Sequence, residues 1–161
     1  MYEDGKFQNV RGETPHGTAT PQTADELIGT WRPVSVTNTR PDGSTLLPFG
    51  PNPKGILMFQ RNRDFAFILN RPDLPKFAAN NRFTGATEEN RAIVHGSLAY
   101  FGTYSLENRV VKMHVEGGTW PGWTGTELER LIIFFSGDEM KWTDPTPTIG
   151  GKVENAWTRI K

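Results

Sequence analysis

Residues 126–135 read TELERLIIFF, and the alternation within them decides the fold. In an extended strand, successive side chains point to opposite faces. One face of this run carries Thr126, Leu128, Arg130, Ile132 and Phe134; the other carries Glu127, Glu129, Leu131, Ile133 and Phe135. The first is apolar around a single cation, which fits a barrel lumen with one polar anchor. The second begins with two acids and turns apolar, which fits an outer wall partly covered by a helix. A long strand of this mixed kind favours bending into a closed barrel, where no edge is left unpaired.

Strand signals extend in both directions from this run. On the C-terminal side, Ser136-Gly137-Asp138 turns the chain into Glu139–Thr143, and Thr148–Gly151 separates that run from Val153–Ile160. On the N-terminal side lie Val110–Glu116 and Leu98–Leu106, joined by Glu107-Asn108. Upstream, Phe65–Leu69 and Ile56–Gln60 read as a hairpin across RNRD at Arg61–Asp64. The first strand runs from Leu27 to Thr39 and ends at the turn PDGS, Pro41–Ser44. Pro33 inside it has no N–H for a ladder, so this strand is kinked, bulged or at an edge. About eight strands at short spacing predict an all-β domain, a small antiparallel up-and-down barrel.

The stretch from Asn70 to Leu98 breaks the rhythm and reads as a loop followed by one short helix. Thr87 suits the N-cap, Glu88 and Glu89 the first turn, and Gly96 the position just past the end. Ala92–Leu98 fits a strand as well. Residues 1–24 mix Gly, Pro, Thr and charges without a helical or strand period and read as a tail. The domain therefore spans residues 25–161.

Composition narrows the function classes. Eighteen basic and eighteen acidic side chains cancel among 161 residues, which removes the electrostatic case for nucleic acid or an anionic membrane as partner. No apolar run approaches the roughly 18 residues a membrane helix needs. Cysteine is absent, which excludes disulfides, thiol nucleophiles and Cys-based zinc sites. No GxGxxG or GxxxxGK[ST] pattern occurs and no His pair has ligand spacing, so no cofactor or metal is expected. The chain shows no secretory leader, and on that ground alone a cytoplasmic location is expected.

Gly29-Thr30-Trp31 at the first strand and Arg159 near the end of the last resemble the Gly-x-Trp and closing Arg of the lipocalin group. There the Trp plugs one barrel end beneath the cation. The ordered set LIGTWRPVSV, the DGS turn, PFGPNPKGILMF, the EEN segment, AYFGTYSL, HVEGGTWPGWTGT and WTRI resembles the lipocalin-like domain family of bacteria and fungi over Leu27–Ile160. The resemblance implies the barrel, and eight strands with mixed walls enclose space for one small molecule. Some barrels of this kind act in biosynthetic pathways, so the resemblance also admits a cofactor-free cyclase or isomerase.

The candidate site residues each carry two readings. His114 shares a face with Lys112 and Glu116, opposite Val111, Met113 and Val115. That polar face points either to solvent or into the lumen, where His114 beside Glu116 would serve as a general base or a ligand anchor. Arg130 requires a partner if buried; it either pairs with Glu116 or another acid, or clamps a carboxylate, enolate or carbonyl of a ligand. Trp120 and Trp123 flank Pro121-Gly122 and either cover a barrel mouth or stack on a bound ring.

Tyr100 and Tyr104 share a face around Gly102, their hydroxyls free to reach a ligand or solvent. Met58 and Phe67 are read as lumen lining, and Trp142 as core that also borders the ligand. His16 in the tail and His95 at the helix end are not read as site residues. The sequence thus predicts a small apolar or aromatic ligand held in the lumen. The alternatives are an acid–base catalyst using His114, Glu116, Tyr104 and Arg130, and a filled barrel acting only in protein interactions. The aromatic surface is compatible with a homodimer.

Overall fold

The computed structural model describes residues 20–161; most of the tail expected over residues 1–24, with His16, lies outside the described residues. The strands are β1 (Gly29–Thr39), β2 (Thr45–Leu46), β3 (Lys54–Phe59), β4 (Asp64–Asn70), β5 (Ser97–Glu107), β6 (Val110–Gly118), β7 (Glu127–Phe135), β8 (Glu139–Asp144) and β9 (Lys152–Arg159). One helix, α1 (Thr87–Gly96), lies between β4 and β5. Each strand from β3 to β9 pairs antiparallel with the next, β1 pairs with β3, and β9 returns to pair with β1 from Trp31↔Arg159 to Thr39↔Lys152. This is a closed antiparallel eight-stranded barrel, with β2 a two-residue strand at the end of β1.

Alternation sends one set of side chains inward: Leu57 and Phe59, then Phe65, Phe67 and Leu69, then Tyr100 and Tyr104, then Val111, Met113 and Val115. Bulges re-aim the chain at three places. One falls between Pro33 and Ser35, as a proline without a ladder donor requires. A second falls between Ile132 and Phe134, so Phe135 rather than Phe134 turns inward. This corrects the strict parity expected for residues 126–135.

The third bulge falls between Phe101 and Gly102. A Cβ on Gly102 would overlap the carbonyl oxygen of His114 on β6, so only glycine lets β5 and β6 approach there. Gly102→Ala is expected to destabilise the barrel by about 1–3 kcal/mol, the usual cost of forcing extra atoms into a packed interior. Thermal unfolding measures it, and an unchanged Tm would contradict this role for Gly102.

Helix α1 begins one residue away from where a Thr87 cap would place it. Ala86 is the N-cap, and the Glu89 carboxylate accepts the backbone N–H groups of both Ala86 and Ala78, each at 2.8 Å. Those two N–H groups hold the Glu89 carboxyl below its usual range. The helix sits beside β5, at the barrel end, and not over the outer face of β7 as expected; Leu131 there remains exposed.

The two ends of the barrel differ. At one end the short turn Ala24–Leu27 buries Leu27, and the Trp31 indole donates to the Leu27 carbonyl at 3.0 Å. The Arg159 guanidinium lies 4.2 Å from the centre of the Trp31 ring and donates to the carbonyls of Glu26, Ile28 and Gly137. This end is closed. The opposite end carries the long connections: the loops before β3, before α1, between β6 and β7, and between β8 and β9.

Candidate functional site

A cavity of about 110 Å³ opens at the end with the long loops. Its apolar walls come from Val36, Phe67, Leu69, Leu98, Trp142 and Val153, one or two from each contributing strand. Pro48 and Phe49 from the loop before β3, and Pro147 to Ile149 from the loop before β9, form its rim, with His95 at the end of α1. The polar lining comes from Tyr100, Arg130, Asp144 and Asn155, with His95 and Thr148 at the rim. Beneath it the lumen is filled. Trp142 meets Trp157 and Phe59 edge-on, and Phe67 stacks on Tyr100 with 4.5 Å between ring centres.

Register explains how the polar groups meet. Leu131 on β7 faces Thr143 on β8, so the next inward residues, Arg130 and Asp144, come side by side. Arg130 Nη1 lies 3.2 Å from Asp144 Oδ1, with both side chains almost wholly buried. The same Nη1 donates to the Glu129 carbonyl at 2.9 Å, and Asp144 Oδ1 also accepts the Thr146 backbone N–H at 3.0 Å. The guanidinium lies 5.9 Å from the Trp123 ring centre, and Trp123 packs edge-on against Tyr100. Burial pushes the Tyr100 phenol above its usual pKa while the Arg130 charge opposes the rise, so the hydroxyl stays protonated at neutral pH. Asn155, opposite Trp142 on β9, adds a neutral amide.

The residues singled out in the sequence separate into two sets. Phe67, Tyr100, Arg130 and Trp142 border the cavity, and Trp123 stands behind Tyr100 and Arg130. His114 and Glu116 do not; they are exposed on the outer wall, because Val111, Met113 and Val115 take the inward positions of β6. Met58 faces outward between the inward Leu57 and Phe59. Tyr104 points inward, but at the closed end, where its hydroxyl donates to the Gln60 carbonyl at 2.9 Å. Trp120 is 45% exposed on its loop and does not line the cavity. The acid–base set of His114, Glu116, Tyr104 and Arg130 is therefore not assembled around one point.

The partner of Arg130 is Asp144, not Glu116. It lies one residue beyond the end of the strand expected at Thr143, and carrying the alternation Met140, Trp142 one step further would have found it. Asn155 follows from the same parity in Val153, Asn155, Trp157. His95 reaches the rim only because α1 ends there, which nothing in its neighbours signals. Among the described residues no group of His, Asp or Glu is placed to hold a metal ion, and no helix is long and apolar enough to cross a membrane.

Comparison with known proteins gives barrels. A redesigned β-barrel is 16% identical with a TM-score of 0.45, covering 89% of this chain and 99% of its own. A redesigned β-barrel, mFAP1, solved bound to DFHBI, is 17% identical with a TM-score of 0.42, covering 86% and 100%. A de novo fluorescence-activating β-barrel is 12% identical with a TM-score of 0.42, covering 85% and 96%. No curated protein matches. The lipocalin-like domain model matches residues 28–157, the whole barrel but the last two residues of β9, and the chain belongs to that family.

Proposed function

We propose that the protein binds a small, largely apolar or aromatic molecule at the open end of the barrel. The observation that carries this reading is the cavity itself: apolar walls around a buried polar group of Arg130, Asp144 and Asn155. Such a surface is what small-molecule sites share, apolar area for affinity and a few placed polar groups for orientation. Its size of about 110 Å³ approaches that of engineered cavities that accept one benzene ring, roughly 150 Å³. Being smaller than that, the cavity seats a ring only with part of it at the open rim, and any larger part of the ligand extends between Phe49 and Ile149.

Native mass spectrometry of protein purified gently from its source tests the reading, with retention of a bound small molecule as the expected result. Val153→Phe, which fills the cavity, is expected to lower occupancy at least about tenfold, a penalty of roughly 1.4 kcal/mol. His114→Ala, on the outer wall, is expected to leave occupancy unchanged. Equal occupancy in Val153→Phe and wild type would place the ligand elsewhere. Failure of the wild-type protein to retain or bind any single-ring compound would remove the proposal.

A further inference from the structure

We infer that the ligand of this cavity is electrically neutral and presents a hydrogen-bond acceptor beside a donor, as an amide or lactam does. The inference rests on the binding reading above and adds the chemistry of the ligand's polar end. Arg130 and Asp144 border the cavity and touch each other at 3.2 Å, so their formal charges cancel where a ligand would sit. Arg130 reaches the Asp144 carboxylate and the Glu129 carbonyl through one nitrogen, Nη1, and its guanidinium also stands against the Tyr100 hydroxyl. No carbonyl or carboxylate among the described residues accepts from its Nε or Nη2. Asp144 likewise has one oxygen engaged, Oδ1, which serves Arg130 and Thr146, while Oδ2 has no donor among the described residues. A guanidinium carries five N–H donors and a carboxylate about four acceptor positions. The pair therefore keeps a donor edge and an acceptor edge side by side in an apolar wall.

Charge decides which ligand suits those two edges. A ligand carboxylate could take the Arg130 edge only by standing next to Asp144, leaving two anions on one cation in a poorly hydrated space. A ligand ammonium meets the reverse problem at Arg130. The other groups around the cavity supply no spare charge to rescue either: Tyr100 is a protonated phenol, Asn155 is neutral, and His95 stands exposed at the rim. A neutral group with a carbonyl toward Arg130 and an N–H or O–H toward Asp144 leaves the pair intact and satisfies both edges.

A matched set of probes on one ring tests this: benzamide, benzoate and benzylamine, titrated into the full-length protein while the Trp142 and Trp123 indole N–H signals are followed by NMR. Benzamide is expected to bind about tenfold or more tightly than either ion. In Asp144→Asn the order is expected to reverse, with benzoate overtaking benzamide, because Arg130 is then left without its counter-charge. Benzoate binding as well as benzamide to the wild-type protein would overturn the inference and leave the binding site standing, and this ranking decides even if Asp144→Asn fails to fold. Unchanged ranking in a folded Asp144→Asn would also overturn it. If none of the three probes moves an indole signal, the cavity is not a ligand site and both readings fall together.

Discussion

Trp31→Ala is expected to lower the unfolding free energy by about 3–5 kcal/mol, the range for truncating a large buried aromatic ring. Three contacts fail at once. The ring is completely buried, its N–H satisfies the Leu27 carbonyl at 3.0 Å, and its face carries the Arg159 guanidinium at 4.2 Å. Removing it opens a void at the closed end and uncovers a cation held by the carbonyls of Glu26, Ile28 and Gly137. Against a total stability of roughly 5–15 kcal/mol, this brings the barrel close to unfolding. Urea unfolding followed by tryptophan fluorescence measures it, and a loss below about 1 kcal/mol would mean that the plug is ornamental to the fold.

Asp144→Ala is expected to cost a comparable 3–5 kcal/mol, for a different reason: it strands the buried Arg130 charge without its acid. Converting both partners, as Arg130→Met with Asp144→Leu, is expected to restore stability to the wild-type level or raise it, since apolar replacement of a buried pair is often neutral to favourable by about 1–4 kcal/mol. The double variant should at the same time lose selective recognition of a polar ligand. Stability recovered while binding is lost would identify the pair as retained for recognition and not for folding. A double variant as unstable as Asp144→Ala would instead show that the pair is needed to hold β7 against β8. Chemical denaturation of the three proteins, with ligand titration of the folded ones, separates the two outcomes.

Much of this was readable from alternation alone. The eight barrel strands, the short helix and the Trp31–Arg159 closure follow from period-two patterning, turn residues and a familiar pair of end residues. Errors arose where the pattern is silent. Met58 sits in KGILMF, which is apolar on both faces, so its parity carries no information. The bulge before Phe134 shifts the inward set by one without any glycine or proline to announce it. The position of His114 is legible, since its strand divides into an apolar and a polar face, and of the two readings open for the polar face the structure shows the solvent one. Tyr104 shares the inward face with Tyr100, as alternation predicts, but its hydroxyl meets the Gln60 carbonyl at the closed end and not a ligand or solvent. Four residues along a strand amount to roughly 13 Å, which separates it from Tyr100 by much of the barrel's length. Depth along the axis depends on stagger between neighbouring strands, which no single strand reveals.

The seam between β1 and β9 joins residues more than a hundred positions apart, such as Trp31 and Arg159. Until β9 has been synthesised, the nascent sheet has two raw margins, along β1 and β8, each able to capture a strand from another molecule. Closing so distant a pair is slow compared with forming the intervening hairpins. The vulnerable period in the life of this protein is therefore its birth, and folding helpers that shield sheet margins should matter more to its yield than its final stability does.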